Sequence, residues 1–458
     1  MAGPYSSLPR HDLTSTKSGS SMTQGLEPSI HSSGDDVPSI TERVATVGLT
    51  KKGKRIAPSP NARLRNSLLG TLGLLELANA ADFAANVWND IPVPTYVIVL
   101  MACGGALALI LTVPAIMDAR RSWNNICFLR EHRRRLRNEM RERLGDSLPS
   151  YDIDAIRDVL HRETGSEIIN RFGMNVVMGT GALIIGVGTL MAIWGANHSV
   201  WLASNILSGY LGNAPVALYG LVNSVWCFHL FRKAQEHKRV TAEKLEGHTV
   251  LDQLHRRFLS TQIYAAASGL TTLLGGVGGM MTPTLWMGYV VLIPVIISSF
   301  ACSFWWKKRL AYNRPFTGRT LGLEESSIIL ELEYIPKVQA KLVAGKGVDQ
   351  IVNDPHCLVA LLDFITHNDM FEDFVISLAG DQSISDVLFT LSAGPLEITR
   401  TALLELPPKL HPAVVDSART FINGYTFQCC VYRERYLCDL LGSFILGNKD
   451  KSTVIEKR

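Results

Sequence analysis

Residues Ser67–Trp88 read SLLGTLGLLELANAADFAANVW. The segment is apolar and long enough for a helix to cross about 30 Å of hydrocarbon, yet Glu76 and Asp82 lie inside it. At 100° per residue, Glu76, Asn79, Asp82, Asn86 and Asn89 share an arc of roughly 140°. A carboxylate turned toward lipid is costly, so the spacing predicts one polar stripe facing other helices or a wet cavity. Glu76, Asn79, Asp82 and Asn86 are therefore a candidate intramembrane polar site. It reads as a proton or cation site, as an anchor for a polar substrate, or as a structural seam bonded to neighbouring helices. A helix lying partly in the interface is a further reading.

The flanks bear on that choice. Ser67–Trp88 pairs with Tyr96–Met117, Phe172–Trp194 with about Asn213–Phe231, and Phe258–Met281 with Thr284–Trp306. Each block opens after an arginine (Arg65, Arg171, Arg257) and closes before Arg120-Arg121, Arg232-Lys233 or Lys307-Lys308-Arg309. The short loops inside the blocks carry no Lys or Arg. Basic residues gather on the cytosolic side, so this asymmetry predicts exoplasmic turns and cytosolic N- and C-termini. Trp88, Tyr96, Trp194, Trp201 and Trp286 then fall near the outer boundary, where amphipathic rings prefer to sit. A five-crossing arrangement would put the basic patch from Lys51 to Arg65 outside, against the same rule.

The fold class follows: an all-α polytopic membrane protein, with six transmembrane helices as three hairpins and a helical cytosolic C-terminal domain. Residues 1–63 hold 17 Ser or Thr and almost no aromatic side chains, which predicts a disordered cytosolic tail. That tail ends in a basic patch, with Ser59-Pro60 as a candidate phosphorylation site. The membrane domain occupies 64–310, with basic cytosolic linkers at 119–170 and 232–257. From Leu323 onward short amphipathic segments alternate with Gly, Asn and Pro breaks, predicting an all-helical domain over 323–446 and a polar tail over 447–458. The long run to Leu446 carries Arg433, Glu434 and Arg435 in its middle, which makes it a poor bilayer span.

Small residues stripe the membrane segments. Gly275 and Gly279 form a GxxxG pair, and Ala265 and Gly269 a small-xxx-small pair. Both read as packing positions within the bundle or as a dimer face. A faint repeat relates Arg171-Phe172 with Gly186-Val187-Gly188 to Arg257-Phe258 with Gly276-Val277-Gly278.

The chemistry is sparse. A formal net charge of +4 is too small to imply nucleic-acid binding. Eight cysteines show no CxxC spacing, and neither a metal nor another cofactor is expected. Hydrolase, nucleotide-binding and metalloprotease signatures are absent in their proper context. Cys127, Cys227 and Cys302 lie near the cytosolic boundary as candidate lipidation sites, or as small core residues. Asn197-His198-Ser199 is an N-glycosylation triplet on the exoplasmic side, so Asn197 marks the chain as a candidate glycoprotein. Arg133, Arg134, Arg135 and Arg137 form a basic helical run suited to anionic headgroups.

The leading functional expectation is a non-enzymatic membrane scaffold or accessory protein that recruits protein partners or lipids through cytosolic helices. The alternative is a small-solute or ion transporter or channel using Glu76 and Asp82, and a weaker one is a membrane-embedded lipid-modifying enzyme. Which membrane, plasma or internal, is left open.

Overall fold

The computed structural model describes residues 46–52, 55–58, 63–65, 71–88, 93–144, 151–315, 324–345, 347–380, 384 and 396–456. They all fall within one compact unit, Val44–Arg458. The expected all-helical character holds for the great majority of them. Five helices are long and apolar enough to cross a membrane: Thr95–Asn138, Ile153–Trp194, His198–Lys244, Leu251–Met281 and Met287–Leu310.

The opening segment is not among those five. It folds as α1 (Thr71–Asn79), a 3-10 turn (Ala80–Asp82) and α2 (Phe83–Val87). The helical backbone continues through the turn, with Asn79 and Phe83 both in the right-handed helical region and no side-chain cap at either end of it. α1 packs inside the bundle against α3 (Thr95–Leu144), α5 (Met174–Met191) and α9 (Met287–Trp305).

α3 runs unbroken through Pro114 for 50 residues, about 75 Å at 1.5 Å per residue. α4 (Tyr151–Ser166) continues through a π-helical segment (Glu167–Gly173) into α5. α6 (His198–Asn205) is capped by Asn197, whose Oδ1 accepts from the Ser199 backbone N–H. It leads through a second π-helical segment (Ile206–Leu211) to α7 (Asn213–Lys244), followed by α8 (Leu251–Met281). α7 and α8 pack against each other along most of their length. Glycine explains that approach: a Cβ on Gly220 would lie 2.3 Å from the Thr272 carbonyl oxygen, and one on Gly276 would lie 2.8 Å from the Ala217 Cα. Close backbones of this kind are how helices associate where apolar contact alone gives little attraction.

Two expectations need correction. The segment called a disordered tail, 1–63, contains β1 (Thr46–Lys52) and β2 (Arg55–Pro58), which pair antiparallel. β1 also pairs with β5 (Leu396–Thr399), in the register Val47 opposite Ile398 and Leu49 opposite Leu396. β3 (Arg63–Leu64) pairs with β4 (Arg314–Pro315). Composition averaged over 63 residues hid the short alternation Val47-x-Leu49 and the apolar Ile56. Ser59 and Pro60 lie outside the described residues.

The second correction concerns domain boundaries. The basic linkers and the C-terminal segment share one hydrophobic core. Phe128 and Leu129 of α3, Ile156 and Leu160 of α4, and Leu254 and Phe258 of α8 belong to it. So do Leu332 and Ile335 of α10 (Glu325–Val343), Leu361 of α11 (Leu358–His367) and Phe374 of α12 (Phe371–Leu378). One C-terminal helix, His411–Glu456, runs through this core and on through most of the segment read as a polar tail. It packs on α4, α7, α8 and α10. Burial of one apolar face along all of these helices couples the membrane helices directly to the C-terminal assembly.

Candidate intramembrane polar site

α1 and the turn after it carry the polar stripe into the bundle, as its angular spacing predicts. Glu76 is 1% exposed and Asp82 0%; Asn79 is buried and Asn86 half-buried. The two carboxylates differ in their surroundings. The Tyr289 hydroxyl of α9 donates to Asp82 Oδ1 at 2.8 Å. Asn86 Nδ2 donates to Asp82 Oδ2 at 2.9 Å and to the Tyr289 hydroxyl oxygen at 2.8 Å. Phe83 adds an edge contact to the Tyr289 ring at 4.9 Å. Asp82 is thus locked into a closed triangle with Asn86 and Tyr289.

Glu76 is not locked. Its polar contact is the Asn79 amide, one turn on in the same helix, and neither Oε2 nor the two Asn79 amide atoms make a hydrogen bond of full geometry. The carboxyl group lies over Gly275 of α8, where an added Cβ would come within 2.9 Å of Oε1 and 3.1 Å of Val295 Cγ1. Gly279, one turn on, gives the same kind of room to Asn213, at 2.9 Å from Oδ1. The Gly275/Gly279 pair, read from sequence as a helix-packing motif, therefore makes space for buried polar side chains. A buried polar group left without a partner costs about 1–3 kcal/mol, so Glu76 and Asn79 are held in place by the surrounding packing.

Tyr289 is the member of this site that the sequence reading missed. It sits in an apolar helix and resembles an interfacial aromatic; nothing local marks it. Two buried asparagines of the neighbouring helices bond elsewhere than to the stripe. Asn223 donates to Thr272 Oγ1, and Asn175 donates to Asp118 and to the Arg171 carbonyl.

A second polar assembly lies at the end of the bundle that carries the basic flanks. Arg171 is 2% exposed and gives Asp118 two side-chain nitrogens, Nε at 3.1 Å from Oδ2 and an Nη at 2.7 Å from Oδ1. It also pairs with Glu167 at 3.1 Å. Asn125 donates to Glu167 Oε1 and to the Arg65 carbonyl. Arg257 grips Asp439 of the C-terminal helix through Nε at 3.2 Å and an Nη at 2.7 Å, with Arg162 3.9 Å from the same carboxylate. Arg314 pairs with Glu163, which also accepts from the Tyr312 hydroxyl. A cavity of about 90 Å³ lies among Arg162, Glu163, Glu167, Arg171, Arg257 and Asp439.

Burial alone would push the Asp439 carboxyl up, but Arg257 and Arg162 outweigh it and hold the group below the ordinary carboxylate value. Burial likewise works against the Arg314 charge, and Glu163 reverses the balance, so its pKa lies above the ordinary value. Arg171 and Arg257, which open the second and third apolar blocks as basic flanks, are therefore buried in ion pairs. Their acidic partners, Asp118, Glu167 and Asp439, are all visible in the sequence, and Glu167 sits one helical turn before Arg171.

The remaining sequence candidates separate. Asn197 is exposed at the start of α6. Cys227 and Cys302 are buried and Cys127 is half-buried, so the first two fit packed core thiols better than lipidation sites. Arg134 and Arg135 pair with Glu131, Arg133 is half-buried and Arg137 is exposed. His132 and His237 are buried. His132 lies against Arg314 and the His237 ring against Phe258. The chain matches no protein family, no curated protein and no solved structure.

Proposed function

We propose that this protein is a small-solute or ion transporter or channel whose membrane bundle exchanges a proton or small cation at Glu76. One observation carries the reading: a fully buried carboxylate among membrane-crossing helices, whose polar contact is the Asn79 amide of its own helix, while Oε2 has no hydrogen bond of full geometry. Ionisable groups in such places are expensive and by default mark ion or proton pathways. The 3-10 turn at Ala80–Asp82 supports it further, since a tightened stretch inside a helix often marks a functional hinge. The roles divide between the carboxylates, Glu76 exchanging and Asp82 holding the turn through Tyr289 and Asn86.

In this reading α1–α2 passes through the bundle as a sixth crossing. Residues 71–88 reach about 27 Å as helix, close to the hydrocarbon thickness. An even number of crossings puts both termini on one side, which the basic flanks assign to the cytosol. Glycosylation at Asn197 would then occur on the opposite side.

The test is flux in liposomes containing the purified protein. Glu76→Gln abolishes a pH- or cation-dependent flux at unchanged abundance; wild-type flux in that variant removes the proposal.

A scaffold or accessory role is the second reading, favoured by apolar side chains exposed on the C-terminal assembly. Leu330 is 65% exposed and Val343 75%, on a helix outside the membrane-crossing set. A partner that co-purifies with wild type and is lost from both Leu330→Glu and Val343→Glu supports it. Retention of every co-purifying protein by both variants discards it.

A further inference from the structure

The outer face of the bundle carries a groove between α3 and α5 of about 670 Å³. Thr112, Gly179, Thr180 and Leu183 line one end of it along the helices, and Arg120, Trp123, Asn124 and Phe172 the other. Trp123 and Phe172 stand 5.5 Å apart at that second end. Gly179 keeps the floor low, since a Cβ there would touch Ala115 Cβ at 3.4 Å. Thr180 and Leu183 are exposed on the bundle surface, the side that lipid occupies.

From Thr112 to Asn124 the groove follows α3 for about 18 Å, close to one leaflet's share of about 30 Å of hydrocarbon. Its polar end coincides with the basic flank. Arg120 is exposed and has no acidic partner among the described residues. The neighbouring Arg171 is already paired with Asp118, and Arg130 lies over the Trp123 ring at 5.4 Å, which leaves Arg120 as the arginine that lines the groove itself. Arg133–Arg137 lie 16 to 20 residues beyond Met117. That is about 24–30 Å along the helix, several times the Debye length of about 8 Å.

We infer that this groove binds an anionic glycerophospholipid, with an acyl chain along α3 and α5 and the phosphate at Arg120. Charge complementarity selects the headgroup, and the apolar floor selects a lipid over a free phosphate. The site is independent of Glu76, and neither claim needs the other.

The experiment is native mass spectrometry of the full-length protein, delipidated and then given dioleoylphosphatidylglycerol and dioleoylphosphatidylcholine at equal ratio. Wild type retains the anionic lipid in preference. Arg120→Gln lowers the ratio of anionic to zwitterionic lipid retained about fivefold, the equivalent of ~1 kcal/mol for one arginine near a membrane surface. Arg137→Gln leaves the ratio unchanged. Thr180→Trp, at an exposed lining position, removes both lipids. Ile116→Trp from the facing wall repeats the block should Thr180→Trp not fold. Glycerol phosphate does not compete. An unchanged ratio in Arg120→Gln, an equal effect of Arg137→Gln, full retention in the folded tryptophan variant, or displacement by glycerol phosphate overturns the inference.

Discussion

The Arg257–Asp439 pair joins the start of α8 to the C-terminal helix, and its removal gives a quantitative test of that junction. Both side chains are about nine-tenths buried, and two nitrogens of Arg257 reach the carboxylate. Breaking a buried pair by deleting one partner costs about 3–5 kcal/mol, because the other charge is stranded. Asp439→Asn belongs at the low end of that range. Arg257 keeps the Arg309 and Leu310 carbonyls as acceptors, at 3.2 and 3.0 Å, and the Tyr312 ring at 5.7 Å. Arg257→Met also costs about 3 kcal/mol, since among the described residues Asp439 then retains Arg162, at 3.9 Å, as its cationic side-chain partner. Replacing both, as Arg257→Met with Asp439→Leu, recovers most of the loss because the two closely paired charges leave together and Arg162 keeps Asp158 as an acidic neighbour. The assay is thermal unfolding in detergent, followed by the tryptophan fluorescence of the full-length chain. Single variants whose stability falls by less than about 0.5 kcal/mol, or a double variant whose loss is the sum of the two, would refute the reasoning. The pair also fixes a pH dependence. Asp439 has its folded pKa below the unfolded value near 3.9, so its contribution is complete above that value and is lost as pH falls through the lower folded one. The difference between wild type and Asp439→Asn therefore narrows on acidification below about pH 4.

Tyr289→Phe removes the donor to Asp82 Oδ1 and lowers thermal stability by about 1–3 kcal/mol while leaving ion flux measurable; loss of flux at full stability would reassign Tyr289 to the exchange site. Gly275→Ala drives a Cβ against Glu76 and Val295 and destabilises by about 1–3 kcal/mol. Gly424→Ala, with nothing within 4 Å, is neutral or stabilises the C-terminal helix by up to about 1 kcal/mol; the reverse order in melting curves contradicts the packing described. Maleimide labelling of the detergent-solubilised protein is faster at Cys127 than at Cys227 or Cys302, and equal rates at all three would contradict their different burial.

Much of the membrane architecture was legible because it is written in composition and charge. The apolar runs of α3, α5, α8 and α9 are long and bounded by arginine or lysine, and lipid permits few alternatives to a helix there. The polar stripe was legible for the same reason, since 100° per residue places Glu76, Asn79 and Asp82 on one side of any helix. What it left out is which carboxylate is satisfied. That depends on Tyr289, some 200 positions away, and on the room at Gly275, neither of which has a local signature. The buried ion pairs escaped for a different reason. Arg171 and Arg257 look like any basic flank until Asp118 and Asp439 are brought to them by tertiary packing. The strand pairing of Thr46–Lys52 with Leu396–Thr399 is likewise nonlocal, and a seven-residue strand leaves little trace in the composition of a long polar segment.

The central claim is that Glu76 is an exchange site while Asp82 is structural. Proton or monovalent-cation flux into liposomes, measured against pH for wild type, Glu76→Gln and Asp82→Asn at matched protein content, tests it most directly. The expected result is a pH-dependent flux in wild type that Glu76→Gln abolishes, with Asp82→Asn less stable but still active in the folded fraction. Wild-type flux in Glu76→Gln, or a loss confined to Asp82→Asn, would contradict it.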